Sequence, residues 1–346
     1  MRRRTPLSTT AAVYLALVVI ILVSTLLVGA QGGNLLSRGN LVDLLTRSSL
    51  LGFVAIGQTF VILGRSLDLS VAHVLALSSL VGATTMAGDP DRILLGVAAV
   101  LAVSGAIGLV NGLVVAKLRV NAFIATLGMA LILTGYLDTR YRGPAGQVPE
   151  AFQAFGYTRF GPVPLSTAVM LVLAVLAAVV LHRTRFGHHL YAVGGSDEVA
   201  RLSGIRTARV VITAHVLCSL SAGIAGLLIA ARFGTGSALV AGGGYELEAI
   251  AAVVLGGTYL LGGRGGVGGT VAGVLILAVL DTVFNVLGVD PFFKDVLRGT
   301  IIVAAVAIYA RGQLRRRATR VRFRPGQDDD GGPLVAASVP AGGGVR

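Results

Sequence analysis

The feature that most constrains this chain is a series of long apolar runs almost free of charge. A membrane-spanning helix needs roughly 20 mostly apolar residues, because the hydrocarbon core of a bilayer is about 30 Å thick. Ten runs approach or meet that length: Ala11–Gly29, Leu41–Leu63, Leu67–Met86, Ile93–Ala116, Asn121–Leu137, Ser166–Leu181, Val210–Ala231, Leu247–Leu261, Val267–Leu287 and Val296–Ala310. Composition agrees. The 346 residues are 54% hydrophobic and only 13% charged, where ordinary soluble domains carry about 25% charge. That excludes a conventional soluble enzyme. The expectation is an all-α polytopic membrane protein of about ten transmembrane helices. Eight spans, or a re-entrant segment, is the alternative. Leu247–Leu261 and the Leu67 run are the weakest as simple spans. Broken helices are tolerated where they line a buried cavity.

Orientation follows the placement of Lys and Arg. With ten spans both termini share one side. If that side is the cytoplasm, it receives 20 of the 29 basic residues and the outside 9. The excess lies in the tails, at Arg2–Arg4 and from Arg311 through Arg324. Both termini are therefore read as cytoplasmic, and the formal charge of +13 calls for no nucleic acid. Arginine outnumbers lysine 27 to 2, a matter of base composition. The N-terminus has the parts of a signal peptide, with Val28-Gly29-Ala30 as a cleavage site. Its apolar stretch is longer than a usual signal core, so it is read as the first span.

The domain reading is a basic N-terminus (1–10), a transmembrane body (11–310) and a basic tail (311–346). The body contains an outer loop (138–165) and a basic inner loop (182–209). The outer loop carries Pro144, Pro149, Pro162 and Pro164. The tail lacks a helical period and is expected to be disordered.

Two stretches match at an offset of 199 residues. Ile56–Arg65 reads IGQTFVILGR and Leu255–Arg264 reads LGGTYLLGGR. Such internal repeats are common in transporters, with the substrate path at the repeat interface. An internal repeat relating spans 2–3 to spans 8–9 is expected.

Gly262–Thr270 (GGRGGVGGT) nearly matches a phosphate-binding loop, but Gly269 stands where the lysine must be. Without it the phosphates lose their cation. The run is read as a tight turn between helices, and the chain is not itself an ATPase. A nucleophile elbow is missing, so no catalytic residues are assigned. His73 and His215 stand apart in the sequence, and His188-His189 are neighbours that do not face one site. No metal site and no cofactor follow. The lone Cys218 reads as a small buried apolar residue. Asn111 and Asn121 read as caps of a short turn.

A carboxylate at the bilayer centre costs about 2.5–3.5 kcal/mol on insertion scales, so intramembrane acids mark the bundle interior or a path. Two stand in apolar sequence. Asp68 is also readable as an interfacial helix-start residue. Asp281 is deeper, with Asn285 one turn on and on the same face. Gln58, Asp281 and Asn285 are the candidates for a translocation path.

In the inner loop, Ser196 to Gly204 reads as one short helix. Ser196 caps its start, Asp197 and Glu198 complement the dipole, and Gly204 stops it. Val199 and Leu202 form a small apolar face. Two turns are unstable alone in water. The segment must pack on the chain's own membrane ends or dock on a soluble partner.

Glu198-Val199-Ala200 followed by Gly204 resembles the Glu-Ala-Ala-x-x-x-Gly coupling motif of bacterial ABC importer permeases, with Val199 in place of the middle alanine. The flanking TRFGHHLYAVGGSDEVARLSGI is similar to the matching loop of ribose- and xylose-type sugar permeases. So are YELEAIAAVVLGGTYLLGGRGGVGGT, LDLSVAHVLAL and NGLVVAKLRVNAFIATLG. The similarity runs from about Leu50 to Ala310. It implies a membrane subunit of an ATP-driven importer, acting as a homodimer or with a paralogous permease. It implies an ABC ATPase docked on Glu198, Val199, Ala200 and Gly204. An extracytoplasmic binding protein would deliver a monosaccharide at the bacterial plasma membrane. Ala72-His73 after LDLSV, and the charged Asp138–Arg142, depart from the family pattern. A branched-chain amino-acid ABC permease and an ion-coupled secondary sugar transporter are the rival readings. An intramembrane enzyme lacks a nucleophile–base pair.

Overall fold

Nearly every apolar run becomes helix in a computed structural model, which describes residues 9–290, 292–294, 296–297 and 299–300. The first five helices are α1 (Thr9–Ala30), α2 (Arg38–Leu63), α3 (Val71–Met86), α4 (Ile93–Ala116) and α5 (Ala122–Arg140). An amphipathic α6 (Glu150–Tyr157) follows, then a two-residue antiparallel ladder joining Arg159–Phe160 to Val163–Pro164. The rest are α7 (Leu165–Arg183), α8 (Arg185–Gly195), α9 (Asp197–Leu202), α10 (Thr207–Phe233), α11 (Tyr245–Leu255) and α12 (Val267–Val286). Eight helical segments among the described residues are long and apolar enough to cross a membrane, while α3 is shorter. The tenth run passes out of the described residues at position 301, and the tail 311–346 and residues 1–8 lie outside them too.

The packing order follows which helices are apolar all round. A helix buried on every side belongs at a bundle's centre, and α2 is buried continuously from Leu51 to Leu63. Its neighbours are α10, α12, α11 and α7. In turn α10 packs on α2, α3 and α4. The outer helices instead leave apolar side chains uncovered: Leu15, Leu22 and Leu26 on α1, Leu94 and Leu95 on α4, Ile132 on α5, and Val175 and Leu176 on α7. Uncovered apolar area on this scale is a surface for lipid rather than water.

The segment expected to span at Leu247–Leu261 stops earlier. Helix α11 ends at Leu255, with Gly256 as its cap. The run is helical across a membrane-long stretch only when the 3-10 turn Ala238–Gly243 before it is included. Beyond Leu255 the chain makes turns in which Gly257, Gly262, Gly263 and Gly265 have positive φ, a region open to glycine and costly for other residues. The two matching stretches differ in conformation here. Ile56–Leu63 is the end of helix α2, whereas the matching Gly256–Arg264 is irregular. The two stretches nonetheless meet, since the Gly263 amide donates to the Leu63 carbonyl at 3.0 Å.

Candidate functional site

Where α2 gives way to α3, the chain builds a sealed polar cluster. Ser70 donates to Asp68 Oδ1 twice, from its amide at 2.9 Å and its hydroxyl at 2.6 Å. From α4, Asn111 Nδ2 donates to Ser70 Oγ at 2.9 Å and lies 3.4 Å from Asp68 Oδ2. From α10, His215 Nδ1 lies 3.4 Å from Asp68 Oδ2, and its Nε2 is 2.9 Å from Ser66 Oγ. From α5, Thr126 Oγ1 accepts from the Leu69 amide at 3.1 Å. Asp68, Ser70, His215 and Thr126 are fully buried, and Asn111 nearly so. Buried polar groups must be partnered, and here Asn111, Thr126 and His215 each come from a different helix. The cluster therefore ties the α2–α3 turn to α4, α5 and α10.

This corrects the reading of His215 as isolated and of Asn111 as a cap. Asn121 does cap α5, accepting from the Phe123 amide at 2.9 Å. The order Ser66–His215–Asp68 is also that of a Ser-His-Asp relay. Asp68 also accepts from Ser70 and Asn111, and Ser66 is only 7% exposed. The arrangement fastens helices and presents no nucleophile in a cleft.

The path candidates do not converge. Asp281 on α12 pairs with Arg47 on α2, Nη1 to Oδ2 at 3.7 Å. Asn285 Oδ1 accepts from Lys294 Nζ at 2.7 Å. Arg47 and Gln58 are eleven residues apart on α2, about 16 Å along the axis, so Gln58 stands well away from Asp281. Gln58 is wholly buried, and its Oε1 accepts from the Cys218 thiol at 3.3 Å. Its Nε2 has no hydrogen-bond partner. A buried donor left unpaired is costly and calls for an explanation.

The inner-loop helix forms as the sequence requires. In α9, Ser196 Oγ accepts from the Val199 amide at 3.3 Å. Gly204 (φ 82°) turns the chain, and the Ile205 amide closes on the Ala200 carbonyl at 3.1 Å. Ala200 is buried against the chain itself, while Glu198 and Gly204 are exposed, with Val199 at 61% and Leu202 at 80%. Val199 and Leu202 thus form a small apolar face turned outward on a charged helix.

Helix α8 carries that face onto the bundle. A Cβ on Gly194 would overlap the Leu63 carbonyl and crowd the Gly263 amide. Only glycine lets α8 sit there. Tyr191 Oη donates to the Gly265 carbonyl at 2.9 Å, and its ring stacks on His182 with centroids 6.2 Å apart. Burial pushes the Tyr191 phenol above its ordinary value, so it stays a donor. The end of α2, the Gly256–Gly266 turns and the α8–α9 unit thus share one junction. The near phosphate-loop lies inside it, as turns and the start of α12, with no lysine.

These features define a polytopic α-helical membrane protein. Residues 40–306 match the family model described as the branched-chain amino acid transport system / permease component. The chain belongs to that permease family. It is 40% identical over 297 residues to the ribose import permease protein RbsC of Escherichia coli K12, covering 84% of this chain and 90% of that one. It is 37% identical to the L-arabinose transport system permease protein AraH of the same organism, covering 78% and 82%. It is 34% identical to the galactose/methyl galactoside import permease protein MglC of Haemophilus influenzae, covering 81% and 88%. No solved structure matches the chain.

Proposed function

We propose that this chain is the membrane-spanning permease subunit of an ATP-binding-cassette importer, carrying a monosaccharide inward across the bacterial plasma membrane. The observation that carries the reading is the 40% identity to a ribose permease along 84% of the chain. The chain itself does no hydrolysis. A separate ATPase docks on Glu198, Val199, Ala200 and Gly204, and a binding protein delivers the sugar from outside. The permease acts with a second copy or a paralogue, and both termini face the cytoplasm with ten spans between. The outward Val199–Leu202 face supports the docking role, because a helix of six residues does not hold such a face for itself.

ATP-driven closure of two soluble subunits moves a rigid element. The α8–α9 unit seated at Leu63 and Gly263 is such an element. Inward- and outward-open states then differ in the contacts at that seat, as any population shift requires. In the path, the free Gln58 Nε2 suits a hydroxyl acceptor of a neutral sugar, with Asp281 and Asn285 further along. A branched-chain amino acid is the second reading. It is favoured by the Arg47–Asp281 pair, which offers both signs of charge at one place. Uptake of labelled ribose, arabinose, galactose and leucine by the reconstituted importer tests both. Leucine uptake without sugar uptake overturns the first.

A further inference from the structure

Beside α9 the chain leaves a cleft of about 600 Å³ between the start of α8, the α9–α10 turn and the start of α10. Its charged lining is of one sign. Arg185, Arg206 and Arg209 contribute guanidinium groups, and His189 adds a fourth titratable group. No acidic side chain lines it, and the ion pairs of arginine among the described residues involve Arg47 and Arg92 instead. Apolar Phe186 and Ile205 line the cleft beside them.

Three arginines lining one cleft with no acid among its lining residues make it favourable to an anion. The guanidinium fork matches phosphate oxygens two at a time. A phosphate alone has no use for the apolar Phe186 and Ile205. An amphiphile does, with its headgroup among the arginines and its first methylenes on those two side chains. Basic pockets at the inner ends of membrane helices are suited to anionic lipid headgroups. We propose that this cleft binds the phosphate headgroup of an anionic phospholipid and that the bound lipid braces the docking helix α9. The proposal rests on the reading above that α8 and α9 face the cytoplasm. The bracing follows from continuity. Ser203, Gly204 and Ile205 line the cleft, and the same residues stop α9 through Ser203 N to Val199 O and Ile205 N to Ala200 O. An occupant held there fixes the carboxyl end of α9 against the membrane face.

The test uses the full-length permease in neutral phosphatidylcholine nanodiscs, titrated with a short-chain fluorescent phosphatidylglycerol. The expected result is binding about ten-fold tighter than for the matching phosphatidylcholine probe. Arg206→Gln/Arg209→Gln loses roughly ten-fold or more of it, and Arg92→Gln keeps it. If the double variant fails to fold, Arg185→Gln is expected to show a smaller loss of the same kind. Phosphatidylglycerol binding unaffected by either variant overturns the proposal. Displacement of the probe by inorganic phosphate or ribose 5-phosphate assigns the cleft to a soluble phosphate and overturns the lipid reading. Loss of the probe on docking the ATPase gives the arginines to that subunit, with the same consequence. ATP-driven uptake in vesicles of phosphatidylcholine with phosphatidylglycerol separates the two readings. Uptake without lipid binding leaves the transporter standing and removes the lipid site.

Discussion

His215 and Asp68, 147 residues apart in sequence, face each other inside the bundle with Nδ1 3.4 Å from Oδ2 and both side chains fully buried. Removing the carboxylate strips partners from His215, Asn111 and Ser70 at once. Breaking a buried pair from one side costs roughly 3–5 kcal/mol. Asp68→Ala is therefore expected to lower the thermal unfolding midpoint of the purified protein sharply. Asp68→Asn, which keeps an acceptor for the Ser70 amide, is expected to cost less. An Asp68→Ala protein that melts with the parent would show that the cluster fastens nothing.

Gly194 and Gly195 are neighbours with opposite surroundings. A Cβ at Gly194 meets the Leu63 carbonyl and the Gly263 amide, while one at Gly195 meets nothing within 4 Å. Overpacking typically costs about 1–3 kcal/mol. Gly194→Ala is expected to displace α8 and depress uptake in protein that still reaches the membrane. Gly195→Ala, with room for its methyl group, is expected to leave uptake near normal. Equal uptake by the two variants would remove the junction from the coupling route.

The helices were legible because a lipid-facing or core helix writes its own length as an apolar run. The loop helix α9 was legible because its cap, dipole charges and stop all lie within Ser196–Gly204. What escaped was non-local. Nothing near His215 in sequence announces Asp68, and nothing near Asp281 announces Arg47, because the pairs are made by packing. The end of α11 at Leu255 is hidden in the sequence because LGGTYLLGG is apolar enough to resemble a span. Its glycines instead adopt positive φ. The same run shows that similarity over ten residues does not impose similar conformation, since its counterpart Ile56–Leu63 is helical.

Glu198 is exposed on α9, and no ion pair holds it among those described. Reversing its charge touches the outward side of α9 and little else. Surface changes of this kind usually alter stability by less than about 0.5 kcal/mol. Glu198→Arg is expected to abolish uptake at unchanged membrane level and unfolding midpoint. Normal uptake would reject α9 as the ATPase contact.

Arg47 is 60% exposed in its pair with Asp281. Such a pair contributes about 0–1 kcal/mol, so Asp281→Asn is expected to leave stability nearly unchanged. If Asp281 faces the path, the apparent affinity for sugar shifts several-fold. An unchanged uptake curve reduces Asp281 to a helix contact with Arg47.

The central claim is that ATP hydrolysed by a partner drives a monosaccharide through this chain. Its most direct test is uptake of labelled pentose and hexose by cells carrying the permease with its ATPase and binding protein, compared under ATP depletion and under a protonophore with ATP maintained. The account predicts uptake that is lost on ATP depletion and survives collapse of the proton gradient. Uptake that follows the proton gradient instead would contradict it.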